Sequence, residues 1–175
     1  HTHEGVAPSH GFKVGIGTLA SLALHEDLLD RDLENADVDR AVAAWPDFDR
    51  VESRIHELFG DDSLASKAVK ETQAKHVSRD DLREQLLRVR AAWPELRDRL
   101  ARHLIPAAEV RSMLQAAGCP TRPEQIGISR ERLRLSYDQA YYIRRRFTVL
   151  DVARRFGFFD DALDRIFAPG GAFGA

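Results

Sequence analysis

The sequence predicts an all-α protein, and three observations carry that prediction. Apolar residues recur at helical spacing through nearly every stretch. Cap and stop residues fall between those stretches, with Ser9, Asp47, Ser78 and Ser129 before them and Gly60 and Gly118 after them. No stretch alternates with period two for long enough to be a strand. The 175 residues fit one helical domain with a sizeable core, spanning 1–175.

The elements follow in order. Ser9 caps a first helix over 10–29, whose pattern runs through Leu19, Leu22, Ala23 and Leu24 to Leu28 and Leu29. Residues 30–47 are acidic and broken, with a short apolar run at Val38, Val42 and Trp45 that stops before Pro46. Asp47 caps a helix holding Val51, Ile55 and Leu58, and a further helix covers 62–76. Ser78 with Asp80 and Asp81 opens a helix through Leu82, Leu86 and Val89. Trp93-Pro94 predicts a break or a new first turn there, with the pattern resuming through Leu96, Leu100 and Leu104. A helix over 107–117 ends at Gly118, and a Pro- and Gly-bearing loop runs from Cys119 to Ile128. Ser129 caps a helix whose pattern includes Leu133, Tyr137, Ala140, Tyr141 and Phe147. Helices over 148–156 and 160–167 precede a Pro-Gly-Gly tail.

Composition narrows the function classes. The net charge of −2 gives no global attraction to nucleic acid or acidic lipid. The single cysteine, Cys119, excludes an internal disulfide framework and a CxxC metal site, and it is compatible with a reducing cytoplasm, the expected location. No apolar run is long enough to span a membrane. No strand–glycine-loop–helix unit and no Walker A segment occurs, so a nucleotide is not held by a Rossmann unit within these residues.

The first helix carries the main chemical signal. Ser9-His10-Gly11-Phe12-Lys13-Val14-Gly15-Ile16-Gly17-Thr18-Leu19 sets a histidine and three glycines at a helix start. The free N–H groups and the dipole favour an anion there. Each glycine costs about 1 kcal/mol against alanine, so the cluster needs a packing or functional reason. His10 is a candidate metal ligand or a capping or packed histidine, and Lys13, one turn on, is a candidate contact for a phosphate or carboxylate or a solvated lysine. His25 lies too far along the same helix to share a metal with His10. His1 and His3 could bind a metal adventitiously at the terminus. His56, His76 and His103 are isolated surface or packing residues, and Cys119 has no histidine beside it to activate it.

Residues 129–155 carry Arg130, Arg132, Arg134, Arg144, Arg145, Arg146, Arg154 and Arg155, with Tyr137, Tyr141 and Tyr142 interleaved. This is the nucleic-acid signal of the chain. Consecutive Arg144, Arg145 and Arg146 fan around a helix rather than forming a stripe, and the rest of the chain cancels the field. The expectation is that one or two of these arginines pair with carboxylates, the rest are solvated, and nucleic acid is not the partner.

The segment around His10 resembles the His-Gly-x-x-Val-Gly-x-Gly-Thr segment of sn-glycerol-1-phosphate dehydrogenases, within the iron-containing alcohol dehydrogenase and dehydroquinate synthase-like superfamily. Tyr142-Ile143-Arg144-Arg145-Arg146-Phe147-Thr148-Val149-Leu150-Asp151-Val152-Ala153 is similar to the family's Ile-Arg-x-Arg-Tyr-Thr-x-Leu-Asp-Leu stretch, with Phe147 where Tyr is commoner. Lys70-Glu71-Thr72-Gln73-Ala74-Lys75-His76 is a third, weaker match.

The resemblance implies the C-terminal, multi-helix, metal-binding domain of a two-domain enzyme, with an N-terminal Rossmann-like domain preceding it as its partner. It implies a divalent metal, usually Zn2+, held by an aspartate and two histidines, with His10 as the last of these ligands and the other two upstream of this chain. It implies NAD or NADP as cofactor and reduction of dihydroxyacetone phosphate, a small phosphorylated three-carbon substrate, to glycerol 1-phosphate. Lys13 becomes a candidate substrate-phosphate contact. On this reading the chain alone is inactive, its start without methionine reflects a longer protein, and a homodimer is one assembly it would form. A dehydroquinate synthase-like enzyme or another polyol dehydrogenase is the alternative within the superfamily. A stand-alone helical interaction or nucleic-acid-binding module is the alternative outside it.

Overall fold

Side-chain caps define most of the helix starts in the computed structural model, which describes residues 8–174. His1 and His3 lie outside the described residues. In chain order the helices are α1 (His10–Leu29), α2 (Val38–Ala44), α3 (Phe48–Leu58), α4 (Asp62–Gln73), α5 (Arg79–His103), α6 (Ala107–Ala116), α7 (Arg130–Ile143), α8 (Val149–Arg155) and α9 (Phe159–Phe167), with a 3-10 turn at Pro123–Ile126. The described residues contain no strand, and the chain is all-helical. None of these helices is long and apolar enough to cross a membrane.

The caps follow the local sequence. Ser9 Oγ accepts from Phe12 N at 3.2 Å, Asp37 Oδ1 from Arg40 N at 2.9 Å and Asp61 Oδ1 from Leu64 N at 2.7 Å. Ser78 Oγ accepts from Asp81 N at 3.1 Å, and Ser129 Oγ from Arg132 N at 3.1 Å. Asp47 precedes α3 as expected but makes no side-chain cap bond, because its Oδ1 faces Arg79 Nη2 at 3.2 Å instead.

Two expectations about helix ends fail for identifiable reasons. α5 is assigned as one helix through Pro94. Proline removes one backbone donor and crowds the preceding turn, at about 3 kcal/mol. Trp93, 4% exposed, anchors the helix at that point. α7 ends at Ile143, so Phe147 leaves the helical pattern and stands 58% exposed in the connection to α8.

The chain forms two compact units, and α5 and α7 each pass from one to the other. The first unit takes the residues up to Arg31, Glu95–Arg134 and those from Asp160 on. Within it α1 packs against α6 and the 3-10 turn. Ile16, Leu19 and Leu24 of α1 are fully buried, as is Ala162 of α9. Arg31 ties α1 to α9, with Nε 2.6 Å from Asp27 Oδ2 and Nη2 2.6 Å from Asp161 Oδ2. Arg97 Nε donates to Leu29 O at 2.7 Å and so satisfies a carbonyl at the C-terminal end of α1.

The second unit takes Asp32–Pro94 and Leu135–Phe159. It holds two apolar clusters. In one, Val51, Ile55 and Leu58 of α3 meet Ala65 and Ala68 of α4 and Tyr141 and Tyr142 of α7. In the other, Val38, Val42 and Trp45 meet Leu82 and Leu86 of α5.

Candidate functional site

His10 occupies the first position of α1, directly after the Ser9 cap, and is exposed. Its ring makes no hydrogen bond among the described residues, so both nitrogens are open to a ligand. Lys13 is also exposed, and its ammonium has no carboxylate partner among the described residues. The three glycines divide. A Cβ on Gly15 would touch Leu114 side-chain carbons at 3.7 Å, so Gly15 lies on the face packed against α6. A Cβ on Gly17 would meet nothing within 4 Å, and one on Gly11 would meet only Ser9 Oγ at 4.0 Å. Phe12 and Val14 stand 38% and 49% exposed beside them. The first two turns of α1 thus present an imidazole, an ammonium, bare backbone and two apolar side chains to solvent.

Among the described residues, no other donor joins His10. No group of three or more His, Cys, Asp or Glu residues that could hold a metal ion occurs among the described residues. His25 Nδ1 lies 2.8 Å from Ser21 O and His103 Nδ1 lies 2.7 Å from Arg99 O, each within its own helix. His76 is stacked on Trp45 at 5.2 Å between ring centroids, with the edge of Phe48 at 5.3 Å. Burial holds its pKa below the ordinary value, the Arg155 charge lowers it further, and Asp47 opposes both.

The second and third motif segments meet in the second unit. Glu71 receives three hydrogen bonds from Arg145, from N at 3.2 Å, Nε at 3.1 Å and Nη2 at 2.7 Å. That arrangement holds the Glu71 carboxyl down at about 2. Thr72 Oγ1 donates to Tyr142 O at 3.3 Å. Lys75 reaches further in. Its Nζ donates to Tyr141 O at 2.6 Å, stands 3.8 Å above the Tyr141 ring and lies 3.0 Å from Asp151 Oδ1. Asp151 Oδ2 accepts from Thr148 N at 2.9 Å and caps α8. Its Oδ1 has ion-pair distance to Lys75 but no hydrogen bond, and Arg154 Nε and Arg155 Nε are likewise buried without one.

Sequence reasoning did not single out Lys75 and Asp151 as a pair. Asp151 stands where a capping box places its acid, three residues after Thr148, and that local signal was readable. The partner lysine lies far away in sequence and was not.

The basic segment is more fully neutralised than expected. Arg130 pairs with Glu124, Arg134 with Asp164, Arg145 with Glu71 and Arg154 with Asp138. Three of those four carboxylates lie outside residues 129–155, so no pattern within the segment marks the pairing. Arg155 donates to Gln85 Oε1 and, at 3.0 Å, to Lys75 O. Tyr137, Tyr141 and Tyr142 are buried, with 6%, 6% and 4% exposure, so none of them offers a face to a nucleobase.

No family model matches the chain, and no curated protein and no solved structure matches it.

Proposed function

We propose that this chain is the helical, metal-binding part of an NAD(P)-dependent dehydrogenase of the sn-glycerol-1-phosphate type, acting on dihydroxyacetone phosphate. In this reading His10 supplies one ligand to a divalent metal, zinc in the first instance. The observation that carries it is the state of His10, the histidine of the first motif match, exposed in the first turn of a capped helix with an unengaged ring. A metal needs a neutral imidazole with a free nitrogen, and nothing among the described residues competes for it.

One imidazole fits one position of an open catalytic site, which takes three protein ligands and leaves a fourth position for substrate. The reading therefore requires an aspartate and a second histidine from residues other than those described. The exposed Phe12 and Val14 beside Gly11 and Gly17 support a second surface closing over this end of α1, and a Rossmann-like nucleotide domain is the proposed occupant. When bound, the metal supplies Lewis-acid polarisation of the substrate ketone, and NAD(P)H supplies the hydride. The chain's own part is positional. Ser9 fixes the helix start, α1 directs its positive dipole end at the substrate, and Lys13, one turn beyond His10, offers its ammonium to the phosphate.

The packing of the other two motif segments on one another, through Glu71–Arg145, Thr72–Tyr142 and Lys75–Asp151, fits a structural role rather than a catalytic one. The test is NAD(P)H oxidation with dihydroxyacetone phosphate. The protein that carries this chain behind its nucleotide domain is expected to turn over, its His10→Ala variant to be inactive, and the 175-residue chain alone to be inactive. Turnover by the isolated chain, or full activity in the His10→Ala variant, overturns the reading.

A further inference from the structure

A cavity of about 430 Å³ opens in the first unit, far from the start of α1. Its wall includes Glu26, which lies more than four turns, about 24 Å, beyond His10 along the same helix. The start of α6, the 3-10 turn and the C-terminal turn complete it. The C-terminal wall is a fixed one. A Cβ on Gly171 would fall 2.2 Å from Arg165 O, and one on Gly174 2.0 Å from Ala168 O, so both positions need glycine for the turn to fold back on α9. Phe173 N donates to Ile166 O at 2.9 Å and its ring stacks on Phe167.

The charges around this cavity do not cancel. Arg111, Arg122 and Arg130 line it, against Glu26 and Glu124. Both carboxylates are already committed. Glu26 Oε1 accepts from the first N–H of α6, Ala107 N, at 2.7 Å, and Glu124 Oε1 pairs with Arg130 Nε at 2.9 Å. Arg111 spends its donors on neutral carbonyls, Thr121 O at 3.1 Å and Ala172 O at 2.8 Å. Arg122 has no carboxylate partner among the described residues. Burial lowers the pKa of Arg111 and the charge of Arg122 lowers it further, so the two guanidiniums repel, with Glu26 partly offsetting them. Like charges held around one cavity beside a helix N-terminus are relieved by an anion.

We propose that this cavity binds a small, multiply charged oxyanion, a phosphate group free or esterified, between Arg122 and Arg111. It is an anion site separate from the His10 end of α1, and it stands whether or not the chain belongs to a dehydrogenase. Arg122 is the ligand-dedicated cation. Glu26 occupies the N-terminus of α6 and competes with the ligand for the same field.

Titration calorimetry of the chain with inorganic phosphate and with glycerol 2-phosphate, at constant ionic strength, tests this. Saturable binding at one site is expected. Arg122→Gln should weaken it at least tenfold, and Glu26→Gln, which keeps an acceptor for Ala107 N, should tighten it severalfold. Arg146→Gln removes the same charge from an exposed position in the second unit and should leave it unchanged. Tighter binding of the ester than of inorganic phosphate assigns the rest of the cavity to the organic moiety, and equal binding assigns the site to phosphate alone. Absence of saturable binding, unchanged affinity in Arg122→Gln, or equal weakening by Arg122→Gln and Arg146→Gln overturns the proposal.

Discussion

Lys75 and Asp151 form a buried ion pair, with Nζ 3.0 Å from Oδ1 and side chains only 7% and 1% exposed. The pair joins the turn after α4 to the start of α8, and the same carboxylate caps α8 through Oδ2. Two charges taken out of water are stable only when each is engaged. Here the lysine also has the Tyr141 carbonyl and ring, and the aspartate has Thr148.

Removing one partner should therefore be costly. Asp151→Ala leaves the Lys75 ammonium buried without a counter-charge and strips the α8 cap, at an expected loss of about 3–5 kcal/mol. Breaking the exposed Arg88–Glu84 pair with Arg88→Ala should change stability by less than about 1 kcal/mol. Urea unfolding of the two variants against the wild type checks both, and a small effect at Asp151 would show that the pair does not hold the second unit together.

Pro94 lies inside α5 and is exposed, so it supplies strain without packing. Pro94→Ala restores the donor to the carbonyl of Arg90 and relieves the clash, and should stabilise the chain by about 1–3 kcal/mol. A rise in thermal midpoint is the expected result.

The helices were largely legible in the sequence, and of the candidate site the sequence marked the place of His10 at the start of α1. The bounds of α1, His10–Leu29, are those read from Ser9 and the apolar pattern, because capping and periodicity are local signals. Pro94 misled for the same reason, since its local cost is outweighed by the packing of α5 as a whole. Phe147 misled because spacing continues past a helix end that nothing in the sequence marks with glycine or proline. The arginine pairs and Lys75–Asp151 join residues distant in sequence, and no local pattern specifies such partners.

His76 provides a pH dependence with a definite sign. Burial between Trp45 and Phe48, then the Arg155 charge, hold its folded pKa below 6.5, so the unfolded chain takes up the proton first as pH falls. Its contribution to stability is complete above 6.5 and is lost as pH falls toward the folded value. The difference in thermal midpoint between wild type and His76→Gln should shift against the wild type between pH 7.5 and lower pH, about where unperturbed histidine titrates. An imidazole NMR titration that places His76 above 6.5 would contradict this.

Gly171 is fixed by the backbone that surrounds it. Gly171→Ala drives a methyl into the Arg165 and Ile166 carbonyls, at 2.2 Å and 2.6 Å, and neither can move without unwinding the end of α9. A loss of about 1–3 kcal/mol is expected from the overpacking, measured by urea unfolding. Gly17→Ala, which meets nothing, should instead stabilise α1 by about 1 kcal/mol.

The proposed function rests on His10 as a metal ligand. Its most direct test is the zinc content of the proposed two-domain protein, measured by elemental analysis for the wild type and for His10→Ala after dialysis against the same buffer. One zinc per chain in the wild type and a loss of most of it in His10→Ala, with the helical circular dichroism unchanged, is the expected result. Equal zinc in the two proteins would contradict the assignment.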